Sequence, residues 1–477
     1  MSETVSSNKL LVAHQALNLL RLALPKLGIG WMFALLTANF NRVSIHELAI
    51  PAVIITSMIG CYHFLSPFQI YFGSLADRFP IFRMKRTPYL FLGSMIASII
   101  FLFLPAMMLA MSQSHWWGFL GGFFLLIVFG VGLAMSGNAH LALISDITTD
   151  KTRGVAVALV WTTMILGLVL SGVVMKYQMP VYHHETLVKL YSITPVIVFF
   201  TCGVGLLGLE PRVKYDLRNP KVQPINEPSI KRENMIRLVQ RLFSTGNATR
   251  LFFLFIVGST IGIFLQDTIL EVFGAAVLGL SLKETSSFQP IWGIGVLGSM
   301  LLVGLLSLWF RFDKQSVARI GSGGTAIGLL LLAIISLSES SRFMFHALFF
   351  LGLFTGFHTI GTLTTMMEMT SQKERATYMG LWGFATSLGS GLSGVLAGAL
   401  VSLLIETSFF SASIGYAIIF FIESCLMILS VYLLGRVSIS DFKLQTGQTD
   451  ANRSMPENLT PLKPADLTIV MEAETGD

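Results

Sequence analysis

The sequence predicts an all-α polytopic membrane protein made of two homologous six-helix halves, and three observations support this fold class. Of the 477 residues, 53% are hydrophobic and only 12% are charged, whereas a soluble chain of this length needs far more charge on its surface. Apolar runs of about 18 residues or more recur along the chain, which indicates transmembrane helices. An internal repeat relates the first half of the chain to the second. Together these observations exclude a soluble globular protein.

Twelve candidate spans account for the apolar runs, and the longest interior connection divides them six and six. The spans lie near residues 22–40, 49–72, 89–111, 117–144, 154–176, 187–209, 251–275, 287–310, 317–336, 343–367, 376–402 and 410–434. The predicted organisation is a polar N-terminal segment, an N-terminal half, a cytoplasmic linker, a C-terminal half and a tail, at 1–21, 22–209, 210–249, 250–434 and 435–477. Residues 231–243 of the linker predict an amphipathic helix on the membrane surface, and the polar tail is expected to be disordered.

The positive charges predict the orientation of the chain. All but five of the 32 Lys and Arg residues lie in the terminal segments, or at or beside the connections on one side of the predicted spans. Because positively charged loops stay on the cytoplasmic side, both termini are predicted to be cytoplasmic. The net charge of +6 follows from this topology and does not indicate a nucleic-acid partner. The three cysteines lie in separate apolar segments, which favours packing over disulfides or a metal site.

The internal repeat identifies the architecture more closely. A constant shift along the chain superposes Asp146 on Glu368 and Gly167 on Gly389. Two homologous six-helix halves enclose a cavity at their interface, with binding sites near the middle of the membrane. This architecture is the major facilitator fold.

The loop after the second span is interpreted as part of a conformational latch. Its sequence GSLADRFPIFRMKR resembles the superfamily pattern G-x-x-x-D-R-x-G-x-R-[RK] through Gly73, Asp77, Arg78 and a basic cluster that includes Arg86. Gly73 would permit close approach of two helices, and Asp77 would pair with a helix end or an arginine, stabilising one conformational state. The alternative is a plain positive-inside anchor.

Two acidic–basic pairs with equal spacing occur where a span leaves the membrane in each half. Asp146 precedes Arg153, and Glu368 precedes Arg375, by seven residues. Their repetition favours a structural role as helix-end caps and cytoplasmic ion pairs in the latch. Contact with a ligand is the alternative.

The stretch LQDTILEVFG at 265–274 places polar side chains inside an apolar span. Asp267 and Glu271 are four residues apart and therefore face the same side of a helix. Ionisable groups inside a membrane are costly, which makes a transport or ligand-binding role the default for both residues and for the adjacent Gln266. For Glu271 alone, an interfacial position is the alternative.

Four segments of the sequence resemble the PucC, or bacteriochlorophyll-delivery, branch of the major facilitator superfamily. They are NRVSIHEL at 41–48, PFQIYFGSLAD…KRTPY at 67–89, LQDTILEVFG at 265–274 and ERATYMGLWG at 374–383. The resemblance covers most of the twelve spans, and the third segment, which carries Gln266, Asp267 and Glu271, is the most specific. The sequence departs from the family pattern at Val272 and Phe273, which is typical of a distant, cyanobacterial-type branch whose pigment would be chlorophyll.

The resemblance implies a transporter-like protein, not an enzyme, that handles or delivers (bacterio)chlorophyll during assembly of light-harvesting or photosystem complexes. It would lie in a thylakoid or cytoplasmic photosynthetic membrane, contacting lipid and chlorophyll synthase or chlorophyll-binding antenna proteins. Chlorophyll would be its bound pigment or cargo, and no other cofactor is expected. No catalytic motif or metal-ligand spacing is present in the sequence. The alternative is a proton-coupled major facilitator transporter of an unidentified small solute.

Further polar residues within or beside the spans are candidates for ligand binding. His63, His140 and His358 lie in predicted helices, where a neutral imidazole would ligate the magnesium of a chlorin, relay protons or hydrogen-bond a neighbouring helix. Among them, His140 is the candidate that the sequence favours. Arg42 follows the first span and would pair either with Glu47 or with the helix-seven carboxylates.

Overall fold

A computed structural model describes residues 2–66, 68–211, 246–306, 309, 313–370 and 375–445. In these residues the secondary structure is helical, apart from one isolated β-bridge between Ile81 and Met84. The all-α class is therefore confirmed.

The helices follow the two predicted halves. The N-terminal half contains α1 (Ser2–Ala34), α2 (Ala52–His63), α3 (Phe68–Arg78), α4 (Thr87–Ile99), α5 (Leu104–Ser112), α6 (Trp116–Ile147), α7 (Asp150–Gln178), α8 (His184–Ser192) and α9 (Thr194–Leu206). The C-terminal half contains α10 (Asn247–Ala276), α11 (Leu282–Thr285), α12 (Phe288–Leu306), α13 (Lys314–Ser338), α14 (Met344–Glu368), α15 (Arg375–Val401), α16 (Ala412–Gly435) and α17 (Ile439–Gln445).

Eleven helical segments within the described ranges are long and apolar enough to cross a membrane. The predicted span at 49–72 is different, because it is divided into α2 and α3. Between them the backbone tightens, with the Phe64 N–H donating to the Cys61 carbonyl at 3.2 Å, three residues back instead of four. The sequence also places Pro67 here, and proline has no N–H to continue an α-helix. Twelve continuous spans and cytoplasmic termini stay predictions.

The first helix continues beyond its predicted end at residue 40. Two π-helical turns, Leu35–Phe40 and Val43–Glu47, extend α1. A π-helical turn inserts an extra residue per turn and rotates the side chains that follow, and such turns are frequent at functional sites. They position Asn39, Asn41 and Arg42, which are all buried.

Equivalent glycines pack the corresponding helices of each half together. A Cβ at Gly167 on α7 would stand 2.1 Å from the carbonyl oxygen of Leu27 on α1. A Cβ at Gly389 on α15 would stand 2.7 Å from the Cβ of Thr260 on α10. Only glycine permits these approaches, so the two repeat positions have the same packing role.

The two halves meet along two helix pairs that are related by the repeat. α2 packs on α15, where a Cβ at Gly60 would lie 2.7 Å from the carbonyl oxygen of Gly391. α7 packs on α12, where a Cβ at Gly172 would lie 2.5 Å from Pro290 Cδ. The interior faces of α1, α2 and α10 meet between these two seams.

Helices are present at both ends of the described part of the chain. The predicted polar segment 1–21 is the beginning of α1, which starts at Ser2. The predicted disordered tail includes the short helix α17. Its Phe442 ring is buried against Tyr378 at a centroid distance of 5.1 Å, which holds this helix against α15. The rest of the tail and the predicted amphipathic helix at 231–243 lie outside the described residues.

Candidate functional site

The polar stretch of the seventh predicted span lies in the C-terminal third of α10 and is buried. Asp267 is 8% exposed and Glu271 is 1% exposed. Gln289 from α12 reaches both carboxyl groups, because its Nε2 donates to Asp267 Oδ1 at 2.8 Å and to Glu271 Oε1 at 3.2 Å. We refer to Asp267, Glu271 and Gln289 as the helix-seven carboxyl cluster.

The cluster has unused hydrogen-bonding capacity. Glu271 Oε2, Gln289 Oε1 and the side-chain oxygen of the neighbouring Gln266 are buried and have no hydrogen-bond partner among the described residues. A buried polar atom without a partner is unfavourable by about 1–3 kcal/mol. The cluster is therefore suited to accept a proton or a donor group of a ligand.

Arg42 resolves the alternatives that the sequence left open. Its Nη1 lies 2.5 Å from Glu47 Oε1, and its Nη2 donates to the carbonyl oxygen of Leu280 at 3.2 Å. No ion pair joins Arg42 to Asp267 or Glu271, and all of these side chains are described. The Arg42 side chain is 2% exposed, and these two contacts offset only part of the cost of its burial, because Nε has no partner among the described residues. Arg42 thus links the two halves.

Other polar contacts join the halves near Arg42. The Asn41 side-chain amide donates to the Thr268 carbonyl, the Ala52 N–H donates to Glu406 Oε1 at 2.9 Å, and the Lys283 N–H donates to the Pro180 carbonyl at 3.2 Å. These contacts lie near the end of α1 that is distant from the N-terminus. We call this set the outer seal; it consists of Asn41, Arg42, Glu47, Ala52, Pro180, Thr268, Leu280, Lys283 and Glu406.

The candidate histidines occupy different environments. His140, which the sequence favoured, is fully buried, and its Nε2 lies 2.8 Å from the Leu22 carbonyl of α1. His358 Nδ1 lies 2.8 Å from Ser322 Oγ on α13. Both rings therefore join neighbouring helices of one half. His63 is instead partly exposed and stacks on Tyr62 at a centroid distance of 4.1 Å.

The predicted latch residues of the N-terminal half converge on Arg86. Its guanidinium lies 2.8 Å from Asp77 and 3.1 Å from Asp146, whereas Arg78 is exposed. Gly73 allows the close approach of α3 to α6, since a Cβ there would stand 2.7 Å from Asn138 Oδ1.

Glu368, the repeat equivalent of Asp146, also pairs with a basic residue near the beginning of an earlier helix, here Lys314 at the beginning of α13. Lys314 Nζ lies 2.5 Å from Glu368 Oε1. Asp146 and Glu368 therefore each pair with a basic residue at the beginning of an earlier helix. The seven-residue spacing in the sequence did not indicate these partners. The side chains of Arg153 and Arg375 lie outside the described part of the structure, so their predicted pairing stays a prediction.

Comparison with known families identifies the chain. The sequence profile described as "PUCC protein" matches residues 39–442. The chain belongs to the PucC family.

Two bacterial relatives and one solved structure illustrate the similarity of this PucC-family chain. Protein PucC of Rhodovulum sulfidophilum is 27% identical over 391 residues, which cover 79% of this chain and 83% of the relative. A Rhodobacter capsulatus protein named "Bacteriochlorophyll synthase 44.5 kDa chain" is 25% identical over 422 residues, covering 87% and 94%. The crystal structure of a D-xylose-proton symporter matches with a TM-score of 0.64 at 15% identity, covering 89% of this chain and 98% of the symporter. This match confirms the major facilitator fold.

Two buried residues of this PucC-family chain were not identified from the sequence. Gln289 precedes Pro290 at the beginning of α12, and its role depends on a contact with α10 that spacing alone does not predict. Glu423 in α16 is fully buried beside Gly262 of α10, and both carboxyl oxygens have no partner in the described chain. The available signal for Glu423 was a single acidic residue within the apolar run IIFFIESCLM.

Proposed function

We propose that this PucC-family protein handles or delivers (bacterio)chlorophyll during assembly of light-harvesting or photosystem complexes, without covalent chemistry. Family membership supports a transporter-like membrane protein, and the name of the R. capsulatus relative suggests a connection with bacteriochlorophyll synthesis. The structural observation that carries the proposal is the helix-seven carboxyl cluster, a few convergent polar groups beside aromatic side chains at the interface of two helical halves.

The composition of this interface favours an apolar ligand with few polar groups. Phe33 of α1 and Phe264 of α10 contact each other across the halves with a centroid distance of 6.3 Å, and Asp267 lies one turn after Phe264. A mainly aromatic surface with a few placed polar groups is typical of sites for large hydrophobic molecules. A carbohydrate would require many more hydrogen-bonding groups.

The outer seal defines the state in which such a ligand would be held. Arg42 and Asn41 of the N-terminal half bind backbone carbonyls of Leu280 and Thr268 in the C-terminal half. Release towards that side requires these bonds to break, whereas access from the opposite side does not. We propose that opening and closing of the seal control the movement of the pigment.

The location and partners of the protein form part of this proposal. A pigment carrier would lie in the photosynthetic membrane, a thylakoid or cytoplasmic membrane. It would receive pigment from a chlorophyll synthase or give it to chlorophyll-binding antenna proteins. The printed name of the R. capsulatus relative supports a connection with pigment synthesis.

A second candidate function is proton-coupled transport of a small solute. The observation that favours it is the pair Asp267 and Glu271, whose carboxyl groups share the Gln289 amide inside the protein. Two carboxyl groups that interact this closely bind protons as a coupled pair, and intramembrane carboxyls commonly serve as proton relays. This function predicts flux in proteoliposomes that depends on a pH gradient.

Deletion of the gene followed by pigment–protein profiling tests the first proposal. We expect loss of assembled pigment complexes, restoration by the wild-type gene, and failure of restoration by Gln289→Leu. Gln178→Leu is the matched control, because Gln178 is exposed at the end of α7. An unchanged profile after deletion would contradict pigment handling and favour solute transport.

A further inference from the structure

We propose that His63 is the histidine that contacts the ligand. One of its ring nitrogens would donate a lone pair to the central metal of a planar macrocycle. This inference rests on the proposed pigment-handling function and names the residue and the bond by which the pigment would be held. Three histidines in predicted spans differ in the accessibility of their ring nitrogens, and aromatic side chains surround one of them, His63.

The availability of ring nitrogens separates His63 from the other two histidines. His140 Nε2 lies against the Leu22 carbonyl, and its Nδ1 has no partner in the described chain, but the residue is fully buried, so a ligand cannot reach that nitrogen. The His358 ring contacts Ser322 at 2.8 Å and Thr362 at 3.4 Å. His63 makes no side-chain hydrogen bond within the described structure, and its ring is partly exposed. To coordinate a metal, a ring nitrogen needs a free lone pair that the metal can reach. His63 has such a nitrogen.

The aromatic surroundings of His63 come from both halves of the protein. Tyr62 stacks on the imidazole at 4.1 Å, and the Phe264 ring of α10 lies edge-on to it at 6.2 Å. Phe33 of α1 extends this group by its contact with Phe264 at 6.3 Å. We call Phe33, Tyr62, His63 and Phe264 the interface aromatic group. Except for buried Tyr62, its members are partly exposed, so their free faces are available to a flat ligand.

The position of His63 suits a ligand held at the middle of the membrane. His63 is the last residue of α2, next to the interruption before α3, while Phe264 is near the middle of α10. The helix-seven carboxyl cluster begins one turn later, at Asp267. One site can therefore combine an axial nitrogen, aromatic faces and carboxyl groups for the polar edge of a macrocycle.

The chemistry favours a metal-containing macrocycle over an anion. A neutral imidazole is a good nitrogen donor, and an apolar environment disfavours the charged imidazolium that would attract an anion. The magnesium of a chlorin accepts one axial ligand, and the aromatic rings stack against its conjugated face. The same macrocycle without its metal would stack equally well but would not use the imidazole nitrogen.

Paired binding measurements with chlorophyll a and its magnesium-free form, pheophytin a, test this inference. The full-length protein is purified in detergent as wild type, as His63→Phe, which keeps an aromatic ring, and as His346→Phe. His346 is exposed and serves as the matched control. We expect His63→Phe to weaken chlorophyll binding by roughly tenfold or more and to leave pheophytin binding unchanged. Resonance Raman spectra of the bound chlorophyll should show an imidazole axial ligand on magnesium only when His63 is present.

Each other outcome has a distinct meaning. Equal weakening of both pigments by His63→Phe would overturn axial ligation, because stacking alone would then explain the effect. Unchanged binding of both pigments would place the ligand away from His63 and overturn the inference. Failure of the wild type to bind either pigment would overturn the proposed function and the inference with it. Retained monodispersity and thermal stability of His63→Phe would show that the variant is folded.

Discussion

The side-chain nitrogen of Gln289 lies 2.8 Å from Oδ1 of Asp267 and so joins α12 to α10 inside the C-terminal half. The next residue, Pro290, packs against Gly172 of the N-terminal half, where an added Cβ would lie 2.5 Å from its ring. The amide that holds the carboxyl cluster is therefore adjacent to one of the seams between the halves. Movement at this seam would change the cluster directly, which connects the site to opening and closing of the protein.

Gln289→Leu should impair function more than it impairs folding. The substitution removes the donor shared by Asp267 and Glu271, and lost hydrogen bonds of buried groups cost about 1–3 kcal/mol. We expect a lower thermal unfolding temperature in detergent and failure to restore pigment–protein complexes in a deletion strain. Full restoration by Gln289→Leu would show that the cluster is not required.

Asp267→Asn should distinguish the two candidate functions. The asparagine side chain can still accept a hydrogen bond from Gln289, but it does not ionise and so cannot carry a transported proton. We therefore expect pigment handling to be largely retained, as measured by pigment–protein profiling. If the chain is a proton-coupled transporter, gradient-driven flux in proteoliposomes should disappear in this variant. Loss of pigment complexes with a well-folded Asp267→Asn protein would indicate that the charge itself is needed.

Arg42→Ala should open the outer seal. Removing the guanidinium breaks the contact to the Leu280 carbonyl and the ion pair with Glu47, whose carboxylate is partly exposed and can be solvated by water. The opening is measured by replacing Pro180 and Lys283 with cysteines in a protein from which the native cysteines have been removed. The Lys283 nitrogen lies 3.2 Å from the Pro180 carbonyl oxygen. We expect disulfide formation between them to slow severalfold in Arg42→Ala. An unchanged rate would show that Arg42 does not hold the halves together.

Arg86→Ala should reduce the stability of the N-terminal half. Arg86 binds Asp77 and Asp146, each about half exposed, and partly exposed ion pairs contribute about 1 kcal/mol or less each. We expect a decrease of about 1 kcal/mol in the free energy of unfolding, smaller at high salt because screening weakens exposed charges. The control is Arg78→Ala, since Arg78 is exposed. An equal effect of both substitutions would argue against a specific role for Arg86.

Much of the fold follows from the sequence, because each membrane crossing requires a long apolar segment. The limits appear where local backbone geometry decides the outcome. Hydropathy did not separate α2 from α3, since the residues on both sides of the interruption are apolar. It also ended the first span at residue 40, although π-helical turns continue it to Glu47. These differences depend on hydrogen-bond registers that composition does not encode.

The candidate site was predictable only in part. Asp267 and Glu271 were expected on one face because residues four apart coincide on a helix. Their partner Gln289 is contributed by another helix, and the contact of Asp146 with Arg86 likewise depends on tertiary packing. The histidines show the same limit, because all three lie in predicted spans and only the structure distinguishes the partly exposed ring of His63 from the fully buried ring of His140.

Purification of the protein from its native host in a mild detergent tests pigment handling most directly. The quantity to be measured is the amount of chlorophyll per protein, together with the identity of copurifying proteins. We predict that wild-type protein retains chlorophyll and copurifies with chlorophyll synthase or an antenna protein, and that Gln289→Leu retains less pigment. Absence of chlorophyll, of the synthase and of antenna proteins from the wild-type preparation would contradict the proposed function.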